Sequence, residues 1–209
     1  LAWNQDETTE EAEYNASIGG PIVKDHLFFF AFVRYWDRNR LGLLTTTGTR
    51  FEVAQPYYGG KIDWNITNNH RLEGTYITDE VETDTLDYDY DKDAGTLTPG
   101  FTGVQQRGGE NIIGKYTGIF AENFLVSGQY GTNDFDRTNA SEGDPCPYSY
   151  DRRGGNSVKL GCWVNWSRGA SFDAREAYRV DADWYLGNHS MRGGFDNEDL
   201  ESTENAIYS

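Results

Sequence analysis

Apolar and polar residues alternate along most of this chain, and a period of two is that of β-strands whose two faces meet different surroundings. Tyr58, Gly60, Ile62, Trp64 and Ile66 are interleaved with Gly59, Lys61, Asp63 and Asn65. Leu72, Gly74 and Tyr76 then alternate with Arg71, Glu73 and Thr75. The pattern returns with Ile112, Gly114, Tyr116, Gly118 and Phe120 against Lys115 and Thr117, and with Phe124, Val126, Gly128 and Tyr130 against Ser127 and Gln129. It returns once more with Tyr178, Val180, Ala182, Trp184 and Leu186 against Arg179, Asp181 and Asp183, then Met191, Gly193 and Phe195 against Arg192, Asp196 and Glu198.

Tight polar turns join these runs in pairs, at Val23-Lys24-Asp25-His26, Thr67-Asn68-Asn69-His70, Ala121-Glu122-Asn123-Phe124 and Leu186-Gly187-Asn188-His189. Such turns imply antiparallel hairpins. The pattern predicts an all-β antiparallel meander of eight strands near 10–20, 27–40, 55–66, 70–83, 110–121, 124–136, 171–186 and 189–202. The intervening segments, about 41–54, 84–109 and 137–170, read as long loops. Short turns at one rim and long loops at the other are expected of an outer-membrane β-barrel.

The alternation also fixes faces. Tyr58, Ile62, Trp64, Leu72, Tyr76, Ile112, Tyr116, Val126, Tyr130, Val180 and Trp184 should share the outer face; Lys61, Asp63, Arg71, Glu73, Lys115, Arg179 and Asp181 should line the inner one. Trp64, Phe120, Phe124 and Trp184 gather near the turns, as an interfacial girdle would. One run breaks the rule: Leu27-Phe28-Phe29-Phe30-Ala31-Phe32-Val33 is apolar on both faces and calls for cover on its inner side as well.

Composition narrows the class. The longest uncharged apolar run is far short of the ~20 residues of a spanning helix. A mean hydropathy of -0.73 does not oppose a barrel, in which only alternate residues meet lipid. A net charge of -16 over 209 residues excludes ordinary nucleic-acid binding. The chain opens in mid-pattern with no signal peptide and is expected to be an internal piece of a longer protein.

Gly19-Gly20-Pro21-Ile22-Val23-Lys24-Asp25-His26-Leu27-Phe28-Phe29-Phe30 resembles a hairpin of TonB-dependent outer-membrane receptors, closest to the Oar-like branch with a carboxypeptidase-regulatory-like N-terminal domain. Gly59-Gly60-Lys61-Ile62-Asp63-Trp64 with Asn68-Asn69-His70-Arg71-Leu72, and Asn188-His189-Ser190-Met191-Arg192-Gly193-Gly194-Phe195-Asp196, resemble two further hairpins of that family. The resemblance implies that residues 1–209 are a partial barrel domain, about eight strands of a transmembrane 22-stranded wall. It also implies a bacterial outer-membrane location with the long loops extracellular, contact with outer-membrane lipid, and TonB and an N-terminal plug as partners. An unknown extracellular ligand would be captured by the loops and imported as TonB displaces the plug. A small eight-stranded anchor or adhesin and a secreted carbohydrate-binding β-sandwich stand as alternatives.

Candidate chemistry is confined to the loops. Cys146 and Cys162, the sole cysteines, are expected to form a disulfide in an oxidising compartment. Tyr148, Tyr150, Trp163 and Trp166 crowd the same loop and could stack on a sugar or peptide. Asp87, Asp89, Asp91 and Asp93 offer oxygens to calcium, without the Gly and Glu of an EF-hand loop. His26, His70 and His189 each follow a tight turn on separate hairpins, which suits turn roles over a metal site. No nucleophile elbow, phosphate loop or convergent acid pair argues for catalysis.

Overall fold

A computed structural model of the chain describes residues 7–141, 149–155, 158–162, 164 and 167–208. Its strands are β1 (Thr8–Val23), β2 (Leu27–Leu43), β3 (Thr47–Thr67), β4 (His70–Thr78), β5 (Val81–Asp91), β6 (Thr96–Gly108), β7 (Glu110–Ala121), β8 (Phe124–Ser141), β9 (Ser149–Asp151), β10 (Val158–Leu160), β11 (Ser167–Leu186) and β12 (His189–Tyr208). No helix occurs among the described residues. Ten strands form one antiparallel sheet in the order β1-β2-β3-β4-β7-β8-β11-β12, with β5 and β6 inserted between β3 and β8; β9 and β10 form a separate small hairpin.

The insertion is a continuation rather than a crossover. Thr78 pairs with Glu110 on one side of the interruption and Val81 with Arg107 on the other, so β4–β5 and β6–β7 run in one unbroken register. The break sits where Gly109 N donates to Asp79 Oδ1 at 3.0 Å and Asp79 N to Gly109 O at 3.1 Å. Gly108 has φ 103°, and a Cβ on Gly109 would run into the Asp134 carbonyl. A side chain fits at neither position. The sheet is thus a meander of eight long strands, and each of the eight expected spans falls inside one of them.

Two of the three expected long loops are corrected. Segment 41–54 is strand except for residues 44–46, and segment 84–109 is mostly the β5–β6 hairpin, closed by a turn at 92–95. Asp91 Oδ1 caps that turn by accepting from Asp93 N at 2.9 Å and Ala94 N at 3.1 Å. The acidic alternation of Asp87, Asp89 and Asp91 looked like a solvated loop, but it is also what a strand shows when it stands in water. The asymmetry between the rims therefore lies in how far the strands project.

The register sorts the two faces cleanly. One row across seven strands reads Leu27, Trp64, Leu72, Tyr116, Gly128, Val180 and Phe195. The row beside it reads Phe28, Asp63, Glu73, Lys115, Gln129, Arg179 and Asp196. All eleven residues expected on the apolar face share it, and all seven expected on the charged face share that one. A slip of one residue would have exchanged the sets.

The apolar face is a band with two borders. Its lower border runs along the tight turns, with Trp64, Phe124 and Trp184; its upper border is a line of tyrosines, Tyr14, Tyr35, Tyr58, Tyr76, Tyr130 and Tyr178. Leu27 to Tyr35 and Tyr178 to Leu186 each span nine residues. Nine residues are about 30 Å of strand, or about 23 Å of height at a tilt of ~40°, which matches the ~25 Å apolar band of a transmembrane barrel. Above the tyrosines the same face turns acidic at once: Tyr76 Oη donates to Glu110 at 2.7 Å and Tyr130 Oη to Glu176 at 3.1 Å. Glu52 faces Asp84 there, and Glu176 faces Asp199.

The only buried hydrophobic cluster among the described residues lies in the projecting part. Leu41, Leu43, Tyr88 and Tyr90 are buried together, with Leu86 and Leu97 packed on them. Within the band, by contrast, Ile62 is 52% exposed, Trp64 46%, Val180 49% and Phe195 60%, so no described residue covers this face. The sheet is open: among the described residues β1 pairs only with β2, and β12 only with β11. The small closed eight-stranded barrel is thereby excluded for this chain.

Candidate functional site

The charged face carries the polar chemistry of the sheet. Its densest point lies where β3 meets β4. Lys61 Nζ lies 2.9 Å from Asp63 and 2.8 Å from Glu73, and Arg71 lies 2.8 Å from Asp63 and 3.1 Å from Glu73. Two acids and two bases thus close a quartet in which each charge meets two of opposite sign. Local register makes it: Asp63 and Glu73 are directly opposite, and Lys61 and Arg71 each stand two residues before the acid of their own strand, so each also reaches the acid across from it. Without the bases the facing carboxylates would repel.

Similar pairs continue across the face. Arg179 grips Asp181 through Nε at 2.7 Å and an Nη at 3.0 Å, Arg175 meets Glu198 at 2.8 Å, and Arg192 reaches Asp183 at 3.4 Å. At the level of the apolar band, Lys61, Arg71, Lys115, Arg179 and Arg192 stand against Asp63, Glu73, Asp181, Asp183 and Asp196, and at its tyrosine border Arg34 is paired with Glu13. Six of each sign leave no net charge, although the chain as a whole carries -16. The excess acid lies instead on the projecting strands and on the opposite face above the tyrosines. Between the pairs, Gly131 and Ala177 floor a shallow depression of ≈ 270 Å³ walled by Gln129, Asn133, Arg175 and Arg179.

β2 differs from its neighbours. Its charged-face positions are Phe28, Phe30, Phe32, Arg34, Trp36 and Arg38. Arg34 and Arg38 flank the Trp36 ring at 5.8 and 5.4 Å, and Trp36 Nε1 donates to Glu11 at 2.9 Å. Arg34 pairs with Glu13 at 2.7 Å. The sequence reading missed this cluster, although Arg34, Trp36 and Arg38 at alternate positions opposite Glu11 and Glu13 were there to be read.

Few of the loop candidates are brought together. Tyr148, Trp163, Trp166 and Cys146 lie outside the described residues, and so does any Cys146–Cys162 bond; no disulfide is found among the described residues. Cys162 is buried. Tyr150 stands on β9 and is 45% exposed. In that hairpin the Arg153 guanidinium, hydrogen-bonded to Asp151 at 2.7 Å, holds the Asp151 carboxyl below its ordinary range. Asp87, Asp89 and Asp91 string along β5 and Asp93 sits in its turn; Asp87 Oδ1 accepts from Thr49 Oγ1 at 3.0 Å. The described residues hold no group of three or more acidic, His or Cys side chains placed to bind a metal. Two of the three histidines fasten the turn rim. His26 Nδ1 donates to Asn65 O at 3.1 Å, and His70 Nδ1 lies 2.7 Å from Tyr116 Oη.

No family model matches the chain, and no curated protein matches it. Three solved structures are similar. The CymD monoaromatic hydrocarbon channel shares 11% identity at a TM-score of 0.36, over 93% of this chain and 61% of its own. The TodX monoaromatic hydrocarbon channel, as a deltaS2 mutant, shares 12% at 0.35, over 93% and 56%. The Ralstonia pickettii toluene transporter TbuX shares 14% at 0.35, over 96% and 57%. The chain thus spans under two thirds of each of these structures, and likeness this distant carries no function across.

The expectation of a TonB-dependent receptor is overturned. The structures found are hydrocarbon channels and a toluene transporter, with no TonB-dependent receptor among them. With that resemblance go the 22-stranded wall, the plug, TonB and plug-gated import. Short hairpin motifs such as Gly19–Phe30 answer to the needs of any tight turn between two long antiparallel strands, which is why they misled.

Proposed function

We propose that this chain is wall of an outer-membrane β-barrel, with its apolar face in lipid and its charged face lining an aqueous conduit for polar solutes. The adjacent rows carry the reading: Trp64, Leu72, Tyr116 and Val180 on one face, Asp63, Glu73, Lys115 and Arg179 on the other. A secreted sandwich would leave no reason for a bare apolar band bordered by tyrosines at bilayer height. Charges on the other face need water or each other; the ion pairs supply one, and an aqueous conduit would supply the other. The open edges of β1 and β12 must be met within the bilayer by further strands, since each unpaired backbone group there costs several kcal/mol.

Balanced charge on the conduit face sets the selectivity. Six bases against six acids at membrane level and its border generate little net field, so the conduit should discriminate weakly between small cations and anions. The protein reconstituted in planar bilayers under a KCl gradient should conduct with a reversal potential near zero. Absence of conductance, or strong selectivity for cations as the overall charge of -16 would suggest, contradicts the reading.

A further inference from the structure

The aromatic strip of β2 on the charged face has no part in the charge ladder. Phe28, Phe30 and Phe32 occupy successive positions of that face, with Tyr57 beside them on β3. Phe30 and Phe32 are 6.1 Å apart between ring centres, and Phe32 and Tyr57 5.5 Å. A Cβ at Gly19 would sit 3.1 Å from Phe30 Cδ2, and one at Gly59 2.9 Å from Phe32 Cε1. Each ring therefore reaches over the glycine beside it, in space that a side chain there would fill. Phe30 is 47% exposed.

We infer that this strip is a stacking track for a neutral oligosaccharide moving along the conduit, an inference that rests on the conduit reading. Three features choose the ligand. The strip is one strand wide: Phe30 is paired to Gly19 on one side and Lys61 on the other, and Phe32 to Ser17 and Gly59. That is too narrow for a protein core to pack on, but wide enough for a chain of sugar rings. Its charged border is already neutralised, since Lys61 and Asp63 are spent on each other and on the quartet, so an ionic ligand finds no unpaired charge there. A hydrocarbon would cover those charges without replacing their water, at a desolvation cost. A sugar offers an apolar face to the rings and hydroxyls to the border.

Calorimetric titration of the full chain in detergent micelles with maltoheptaose tests this. Binding is expected, weakened at least fivefold by Phe30→Leu, which keeps apolar bulk and removes the flat face. Phe29→Leu, on the opposite face of the same strand, should leave it unchanged. Phe32→Leu supplies the same test should Phe30→Leu fail to fold. No maltoheptaose binding, equal weakening by Phe29→Leu and Phe30→Leu, or binding of toluene in its place overturns the inference. Because micelles need no conduction, saccharide binding without bilayer conductance supports the track while contradicting the conduit; conductance without binding does the reverse.

Discussion

Single residues of this sheet differ sharply in what they tolerate, and the differences follow from what lies opposite each. Gly108 has φ 103° and faces the Asp79 carbonyl, whereas Gly74 and Gly114 have open space where a side chain would go. Gly108→Ala should cost about 1–3 kcal/mol of stability in urea titrations, the usual scale for forced backbone strain, while Gly114→Ala stays within about 0.5 kcal/mol. The quartet is a weaker contributor than its four short distances suggest. Its bases are 38% and 47% exposed, so solvent screens them. Asp63→Asn should lower stability by no more than about 1 kcal/mol. A loss of several kcal/mol would show that the cluster is shielded by something absent from this sheet.

At the scale of elements, the strands are two pieces of different physics on one backbone. Below the tyrosines a strand needs lipid on one side, and Ile62→Arg should cost ~2–4 kcal/mol there, whereas Thr75→Arg on the charged face should be nearly neutral. Above them the strands of the proposed wall would stand clear of the bilayer, and their own core holds them. Leu43, 2% exposed, is its most buried member, and Leu43→Ala should cost about 2–5 kcal/mol. That loss should appear as faster proteolysis at the turns 44–46 and 92–95, with the band untouched. Cleavage spreading into β3 below Tyr58 would instead mean that the two parts melt together.

Much of this was legible in the sequence wherever alternation and a tight turn agreed: the eight spans, the meander order and both faces from Tyr58 to Asp196. What alternation could not convey was extent. Asp84 to Asp91 reads as a loop because its acids are so dense, yet they alternate with Leu86, Tyr88 and Tyr90, and β5 is a strand continuing β4 past a single interruption. The charged face was legible residue by residue, but its pairing was not, since Asp63 meets Glu73 only through the register that the Thr67–His70 turn imposes. The loop around Cys162 drew most of the predicted chemistry, and the described sheet places the densest polar contacts elsewhere.

For the whole molecule, two environments on two faces is the central claim, and it is directly measurable. Single nitroxide labels placed on the reconstituted protein at Lys61, Ile62, Arg179 and Val180 report access to oxygen, which concentrates in lipid, and to a polar nickel chelate, which stays in water. Ile62 and Val180 should be open to oxygen and closed to the chelate, and Lys61 and Arg179 the reverse, so that access alternates along β3 and β11 with a period of two. Equal chelate access at all four positions would place both faces in water and contradict the membrane wall; equal oxygen access would contradict the aqueous conduit.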